Sequence, residues 1–92
     1  MNGVQIKLPA VLAQMVDGER TFDVRGASVG EALDDLVRQR PALSIHLFDE
    51  AGQMRRHIVC FCNDRYTKGA RALEAPLEPG DTITILNSVA GG

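Results

Sequence analysis

The stretch GASVGEALDDLVRQR, residues 26–40, predicts the one long helix of this chain and decides the fold class around it. Ser28 is a good N-cap residue, and Glu31 three positions later completes a capping box. Apolar residues recur at helical spacing along one face of the stretch, at Val29, Leu33, Leu36 and Val37. Because Pro41 disfavours a helical conformation at Arg40, the helix ends near that residue. A single amphipathic helix of this kind needs a sheet against which to pack.

Strand patterns lie on both sides of the helix. Before it, residues 4–8 and 21–24 alternate apolar and polar side chains, which predicts a hairpin with a long connecting loop. After it, residues 57–62 form a continuous apolar run, which predicts a strand covered on both faces. Residues 82–86 form the clearest strand pattern in the chain and follow a tight turn at residues 79–81.

The order strand, strand, helix, strand, short element, strand favours an α+β fold in which one main helix packs on one face of a mixed sheet. In the most compact arrangement the first and last strands lie side by side and parallel in the centre, which is the β-grasp, or ubiquitin-like, architecture. Residues 10–19 read as a loop and residues 43–48 as a short, irregular apolar segment. Residues 65–78 are poorly patterned, with one short element expected around residues 71–73.

Size and composition limit the classes of function. The chain has 92 residues, a net charge of −2 and 45% hydrophobic residues, which is ordinary for a single globular domain. A slight acidic excess argues against a nucleic-acid-binding surface. The sequence shows neither a signal peptide nor an apolar run of membrane-spanning length. We therefore expect a cytoplasmic protein with no nucleic-acid and no membrane partner.

Cysteine, histidine and paired acidic residues form no catalytic or metal-binding pattern in the sequence. Cys60 and Cys62 point to the same side of a strand, about 6.7 Å apart, and are interpreted as two small buried hydrophobes. His46 and His57 have no ligand partners at a known metal spacing. The pair at residues 34–35 is interpreted as a solvated helix face. We therefore expect neither an enzyme nor a metal site.

Two features of the third strand could serve a partner protein. Because side chains alternate along a strand, we expect Val59 and Phe61 to point away from the helix and to form a partner-binding patch. The alternative is that residues 65–78 or the loop at 10–19 cover them. The pair at residues 55–56 is either a contact for an acidic partner or a solvated basic surface.

We predict a domain at residues 1–87 and a flexible tail at residues 88–92 that ends in Gly-Gly. Five extended residues reach about 17 Å, enough to carry a carboxylate into a buried site of another protein. Glycine leaves nothing branched beside the reacting carbonyl group. The alternative is an inert, frayed terminus.

Taken together, these features resemble the ubiquitin-like sulfur carriers of the ThiS/MoaD type. The likeness rests on four segments, the helix start at 28–33, the strand end at 60–64, the turn and strand at 77–86, and the ending at 89–92. It covers nearly the whole chain, and the ending is its specific part. Residues 6–9 and 47–49 look most like carriers that serve the synthesis of cysteine or of thiolated metabolites.

The resemblance implies a protein co-substrate and not an enzyme. An E1-like enzyme would use ATP to adenylate the Gly92 carboxylate, and a sulfur donor would convert it into a thiocarboxylate. A biosynthetic enzyme would accept the sulfur. The partners would recognise the tail through Gly91, Ala90 and Val89. The chain itself would bind no cofactor. Some relatives also require a metalloprotease that removes residues after the final glycine.

Three alternatives share this fold. A ubiquitin-like modifier would join the Gly92 acyl group to a lysine amine of a target protein. A small subunit of a molybdopterin-synthase-like complex would remain docked through a large apolar surface. A β-grasp binding module with an inert terminus would lose nothing on removal of residues 91–92. The sequence leaves the pathway, the sulfur donor and the final acceptor open.

Overall fold

The computed structural model describes residues 3–67 and 72–87 of the chain. The strands are β1 (Gly3–Lys7), β2 (Thr21–Arg25), β3 (Ile58–Cys62), β4 (Arg65–Thr67) and β5 (Thr82–Asn87). The α-helices are α1 (Ala10–Ala13), α2 (Val29–Gln39) and α3 (Ser44–Leu47), and 3₁₀ helices span Gln14–Val16, Pro41–Leu43 and Ala72–Glu74. The described strands form one five-stranded sheet in the order β2-β1-β5-β3-β4.

The first and last strands lie side by side in the sheet, as the sequence predicts. β1 pairs in parallel with β5, and Ile6 lies opposite Ile83. β2 pairs antiparallel with β1, and β3 pairs antiparallel with β5. A hairpin, a crossing helix and a central parallel pair of first and last strands define the β-grasp architecture, so the predicted α+β fold is confirmed.

The hydrophobic core lies between the sheet and α2. Every second side chain of β1, β2, β3 and β5 is buried. The helix contributes four buried residues, Val29, Ala32, Leu33 and Leu36. Because a fully buried large apolar side chain contributes roughly 1.5–3 kcal/mol, this layer supplies most of the favourable free energy of folding.

The start of α2 is capped as the sequence predicts. Ser28 Oγ accepts a hydrogen bond from the Glu31 backbone N–H at 3.2 Å. Glu31 Oε1 in turn accepts from the Ala27 backbone N–H at 2.9 Å, one residue further back than the N-cap itself. The helix ends at Gln39 and Arg40 is its C-cap, directly before Pro41.

The outer face of α2 is less solvated than the sequence suggests. Asp35 Oδ2 accepts a hydrogen bond from the Arg25 backbone N–H at 2.9 Å. Gln39 Nε2 donates to the Asp23 carbonyl oxygen, also at 2.9 Å. These bonds fasten the helix to β2, so the interpretation of residues 34–35 as a solvated face is wrong for Asp35.

Three short elements depart from the sequence prediction, namely β4, α1 and the 3₁₀ helix Gln14–Val16. β4 lies in the segment described above as poorly patterned, where it pairs antiparallel with β3 at the sheet edge. α1 and the following 3₁₀ helix occupy the predicted loop at 10–19 and bury Leu12, Ala13 and Val16. The short apolar segment expected at residues 43–48 is confirmed, as a 3₁₀ helix that ends at Leu43 followed by α3. Elements of three or four residues are too short to display a period of their own.

A side-chain network fastens two turns at the start of β5. The Asp81 carboxylate accepts hydrogen bonds from the Glu78 backbone N–H at 2.9 Å and from Asn63 Nδ2 at 3.1 Å. Asn63 Oδ1 accepts from the Thr82 backbone N–H at 3.1 Å. The Glu78 N–H, followed by the Asn63 amide, holds the pKa of Asp81 below its usual value. The turn predicted at 79–81 is thereby joined to the turn between β3 and β4.

Gly26 allows the chain to pass from β2 into α2 at very close range, which yields a testable prediction. A Cβ atom at this position would lie 2.5 Å from the Ala32 nitrogen and 2.9 Å from the Glu31 carbonyl carbon. Because both are backbone atoms, Gly26→Ala should lower the free energy of unfolding by about 2 kcal/mol or more, measured by urea denaturation. Gly3→Ala is the matched control, since a Cβ there meets nothing within 4 Å. Equal destabilisation by the two substitutions would contradict this explanation.

Candidate functional site

The predicted carrier residues Val89, Ala90, Gly91 and Gly92 lie outside the described residues. The structure does describe the strand that leads to them. β5 ends at Asn87, which pairs with Ile58 at the start of β3. On its other side β5 runs parallel to β1, with Thr84 opposite Lys7. The chain therefore reaches Asn87 at the end of the sheet marked by Lys7 and Ile58, which we call the tail edge.

The face of the sheet opposite α2, called here the open face, is where a partner could dock. The predicted alternation of β3 is confirmed, because its even-numbered residues are buried whereas Val59 and Phe61 are half-buried on the open face. The prediction that this strand is covered on both faces is wrong, since these two side chains remain partly exposed.

An apolar patch forms where β3 and β5 meet on the open face. Val59 pairs with Leu86, and Phe61 pairs with Thr84. Side chains of directly opposed residues have Cβ atoms about 4.5–5.5 Å apart, so Val59, Phe61 and Leu86 are neighbours. We call these three residues the apolar patch. Leu86 is 42% exposed and lies next to Asn87, the last residue of β5.

Leu86 is the patch residue that sequence reasoning missed. The signal for it was present, because the alternation of the last strand places Thr82, Thr84 and Leu86 on one face. The sequence did not predict the register between β3 and β5, which brings Leu86 beside Val59.

The two cysteines of the chain lie in the core. Cys60 and Cys62 are reduced thiols with exposures of 0% and 1%, which confirms their interpretation as buried hydrophobes. Cys60 Sγ contacts Met54 Sδ at 3.8 Å. Burial, with a smaller contribution from neighbouring Cys62, raises the pKa of the Cys60 thiol to about 12. A protonated and buried thiol is a poor nucleophile, so Cys60 is unsuited to react with an activated carboxyl group.

The described residues contain no cluster of metal ligands. Within residues 3–67 and 72–87, no group of three or more His, Cys, Asp or Glu side chains could hold a metal ion. His46 is half-buried and His57 is exposed. No helix in this part of the chain is long and apolar enough to cross a membrane.

The sequence model of the ThiS family matches residues 6–92. The chain belongs to the ThiS family. It is 40% identical over 89 residues to small archaeal modifier protein 1 of Haloferax volcanii, covering 94% of this chain and 97% of that protein. It is 28% identical over 91 residues to the sulfur carrier protein CysO of Mycobacterium tuberculosis, covering 97% and 98% of the two chains.

Solved structures agree with these relationships. The crystal structure of the H. volcanii modifier matches with a TM-score of 0.85 and 32% identity, over 97% of this chain and 100% of that one. A chain of the Amycolatopsis orientalis BexX/CysO complex matches with a TM-score of 0.82 and 34% identity, over 97% and 99% of the two chains. The resemblance to the ThiS/MoaD carriers is therefore confirmed, and this ThiS-type carrier is not itself an enzyme.

The buried thiols give a prediction for the native protein. We expect N-ethylmaleimide to add to neither cysteine at about pH 8, because Cys60 stays protonated and both sulfur atoms are out of reach of solvent. In denaturant both cysteines should react. Intact-mass spectrometry counts the adducts in each case. One adduct on the native protein would show that the core opens or that a thiol is accessible.

Proposed function

We propose that this protein carries sulfur on its C-terminal carboxyl group and delivers it to a biosynthetic enzyme. The family match across residues 6–92 carries the proposal, because it includes the glycine ending along with the β-grasp domain. The domain at 1–87 and the tail at 88–92 then have separate tasks. The domain is recognised by partners, and the tail brings Gly92 to their active sites.

The chemistry proposed for Gly92 proceeds in two steps. An E1-like enzyme uses ATP to join AMP to the Gly92 carboxylate, and pyrophosphate leaves. Sulfide, as the sulfur donor, then attacks the carbonyl carbon, so that a carbon–sulfur bond forms, the bond to AMP breaks, the S–H proton is released and a thiocarboxylate remains. Both ATP and the catalytic groups belong to the partner, and the chain binds no cofactor of its own.

The residues of this chain favour such a role in two ways. The small side chains of Val89, Ala90 and Gly91 suit a narrow channel in a partner. The burial of Cys60 and Cys62 keeps the only thiols of the chain away from an activated Gly92. Free thiols also support a cytoplasmic location, where cysteines stay reduced.

We propose two classes of protein partner that use the apolar patch in turn, the E1-like activating enzyme and the enzyme that accepts the sulfur. Similarity to CysO favours a role in cysteine biosynthesis, with a thiolated metabolite as the alternative product. If the chain is made with residues after Gly92, a metalloprotease would have to remove them first.

A protein modifier is the second candidate, favoured by 40% identity to the small archaeal modifier. Activation of Gly92 would be the same, but a lysine amine of a target would attack the carbonyl carbon and form an isopeptide bond. A permanently docked subunit of a molybdopterin-synthase-like complex has less support, because only three side chains form the apolar patch on the described open face.

Deletion of Gly92 tests the proposed function directly. The purified protein is incubated with ATP, sulfide and the E1-like enzyme of the same organism, and its intact mass is measured. We expect the exchange of one oxygen for sulfur in the wild type and no exchange after the deletion. The melting temperature should be the same for both, since β5 ends at Asn87.

The outcomes separate the candidate functions. Adenylation that continues without Gly92 would overturn the proposed role of this residue. Covalent adducts on lysines of other proteins, in place of a thiocarboxylate, would identify a modifier. If the mass does not change with an enzyme that is known to activate another ThiS-type carrier, the remaining candidate is a β-grasp binding module with an inert terminus.

Substitution of Phe61 tests the docking role of the apolar patch. Phe61→Asp should raise the Kd for the E1-like enzyme about tenfold or more, because a carboxylate in an apolar interface loses its hydration. Ile45→Asp is the control, since Ile45 is 69% exposed and lies on α3 outside the sheet. Circular dichroism checks that both variants are folded. The same Kd for wild type and Phe61→Asp would assign the open face to another role.

A further inference from the structure

The hydrogen bonds between β1 and β2 determine which backbone groups of β2 point away from the sheet. Among the described strands β2 pairs only with β1, so it is an edge of the sheet. The Leu8 backbone N–H donates to the Arg20 carbonyl oxygen at 2.7 Å, which makes these residues a hydrogen-bonded pair. Because such pairs alternate along an antiparallel ladder, the second and fourth residues of β2 bond to β1. The backbone groups of Asp23 and Arg25 therefore point outward, where an edge strand can accept another strand.

Two side chains of α2 occupy outward groups of this edge. The Asp23 carbonyl oxygen accepts a hydrogen bond from Gln39 Nε2 at 2.9 Å, and the Arg25 N–H donates to Asp35 Oδ2, also at 2.9 Å. Asp35 and Gln39 are four positions apart on the helix, so they lie on the same side of it. Gln39 Nε2 also donates to Asp35 Oδ2 at 3.5 Å. We call Asp35 and Gln39 the edge clamp, since together they fill one acceptor and one donor of β2.

The two filled groups are those that a second copy of β2 would use. In an antiparallel pair centred on Val24, Asp23 lies opposite Arg25 of the second copy, and the reverse. Because the backbone groups of both residues point outward, each of these is a hydrogen-bonded pair, in which the Asp23 carbonyl oxygen accepts from the Arg25 N–H of the other copy. In the single chain Gln39 takes the place of that N–H donor, and Asp35 takes the place of that carbonyl acceptor.

Charge complementarity favours this register of a second copy. Asp23 and Arg25 are exposed on the same face of β2, so a pair centred on Val24 sets a carboxylate opposite a guanidinium twice. A pair centred on Asp23 would instead set two carboxylates opposite each other. Arg25 lines a shallow cavity with residues of α2 that include Glu31 and Asp34. Within the described part of the chain, however, neither Arg25 nor Asp23 makes an ion pair, so both charges are available to a second copy.

We infer that the edge of β2 is a pairing surface for a second copy of this chain and that the edge clamp keeps this surface closed. The wild-type chain then stays monomeric although its edge strand is self-complementary in hydrogen bonds and in charge. The inference is independent of the proposed function, because β1 separates β2 from the strands of the apolar patch. A closed edge protects the chain from the uncontrolled strand addition to which exposed edges are prone.

Opening the edge clamp tests the inference. Sedimentation equilibrium gives the dissociation constant of dimerisation for the wild type and for the double variant Asp35→Ala, Gln39→Ala. This constant should be at least about tenfold lower for the double variant, because both hydrogen-bonded pairs can then form across the two copies. Circular dichroism checks that the variant is folded. If it is not, Gln39→Ala alone carries the same test, since it frees the Asp23 carbonyl oxygen.

Two further variants serve as controls. Asp35→Asn retains a side-chain oxygen that can accept from the Arg25 N–H, so it should remain as monomeric as the wild type. Asp34→Ala removes the same charge from the neighbouring residue, which makes no hydrogen bond to β2 among the described residues, and it should also remain monomeric. Together they separate the loss of the clamp from the loss of a negative charge on α2.

Charge exchange on β2 identifies the surface through which the double variant dimerises. Added to the double variant, Asp23→Arg should raise the dissociation constant about fivefold or more, because guanidinium groups then oppose each other. Further addition of Arg25→Asp should restore dimerisation, since each pair is again of opposite charge. A double variant as monomeric as the wild type would overturn the inference, even if it captured a strand of another protein. So would a wild type that dimerises equally well, or a dimer that is insensitive to Asp23→Arg.

Discussion

The parallel pairing of β1 with β5 is the constraint on which the rest of this structure depends. It joins residues 5–7 to residues 82–84, close to the two ends of the described chain, so it closes a loop that contains every other element. Ile6 and Ile83 are both fully buried under α2 as a result. Because parallel strands run in the same direction, the pairing also makes β5 end at the same end of the sheet as β1, where Asn87 pairs with Ile58.

The long elements could be predicted from the sequence because each carries its own signal. The capping box of Ser28 and Glu31, the apolar stripe and Pro41 mark α2 from end to end, and alternation marks the strands of the hairpin. β4, α1 and α3 have three or four residues each and are stabilised by what they pack against, so no local period reveals them. Asp35 shows the same limit, since its partner Arg25 is set by tertiary packing.

For the candidate site, the sequence predicted which way Val59 and Phe61 point, because side chains alternate strictly along a strand. It did not predict their neighbours. The register between strands places Leu86 beside Val59 and Lys7 in the row of Phe61, and a shift of one residue would remove both. The two residues of the basic pair at 55–56 also differ in a way that the sequence does not show, because Arg55 Nε donates to the Ile45 carbonyl oxygen whereas Arg56 is exposed.

A ThiS-type carrier that works with separate enzymes depends on recognition for its selectivity, and in the proposed function that recognition has to be temporary. In the proposed function, an activating enzyme that held the chain as tightly as an obligate subunit would keep the sulfur from the acceptor. A patch of three apolar side chains is small beside the interfaces of permanent complexes, so it favours fast dissociation.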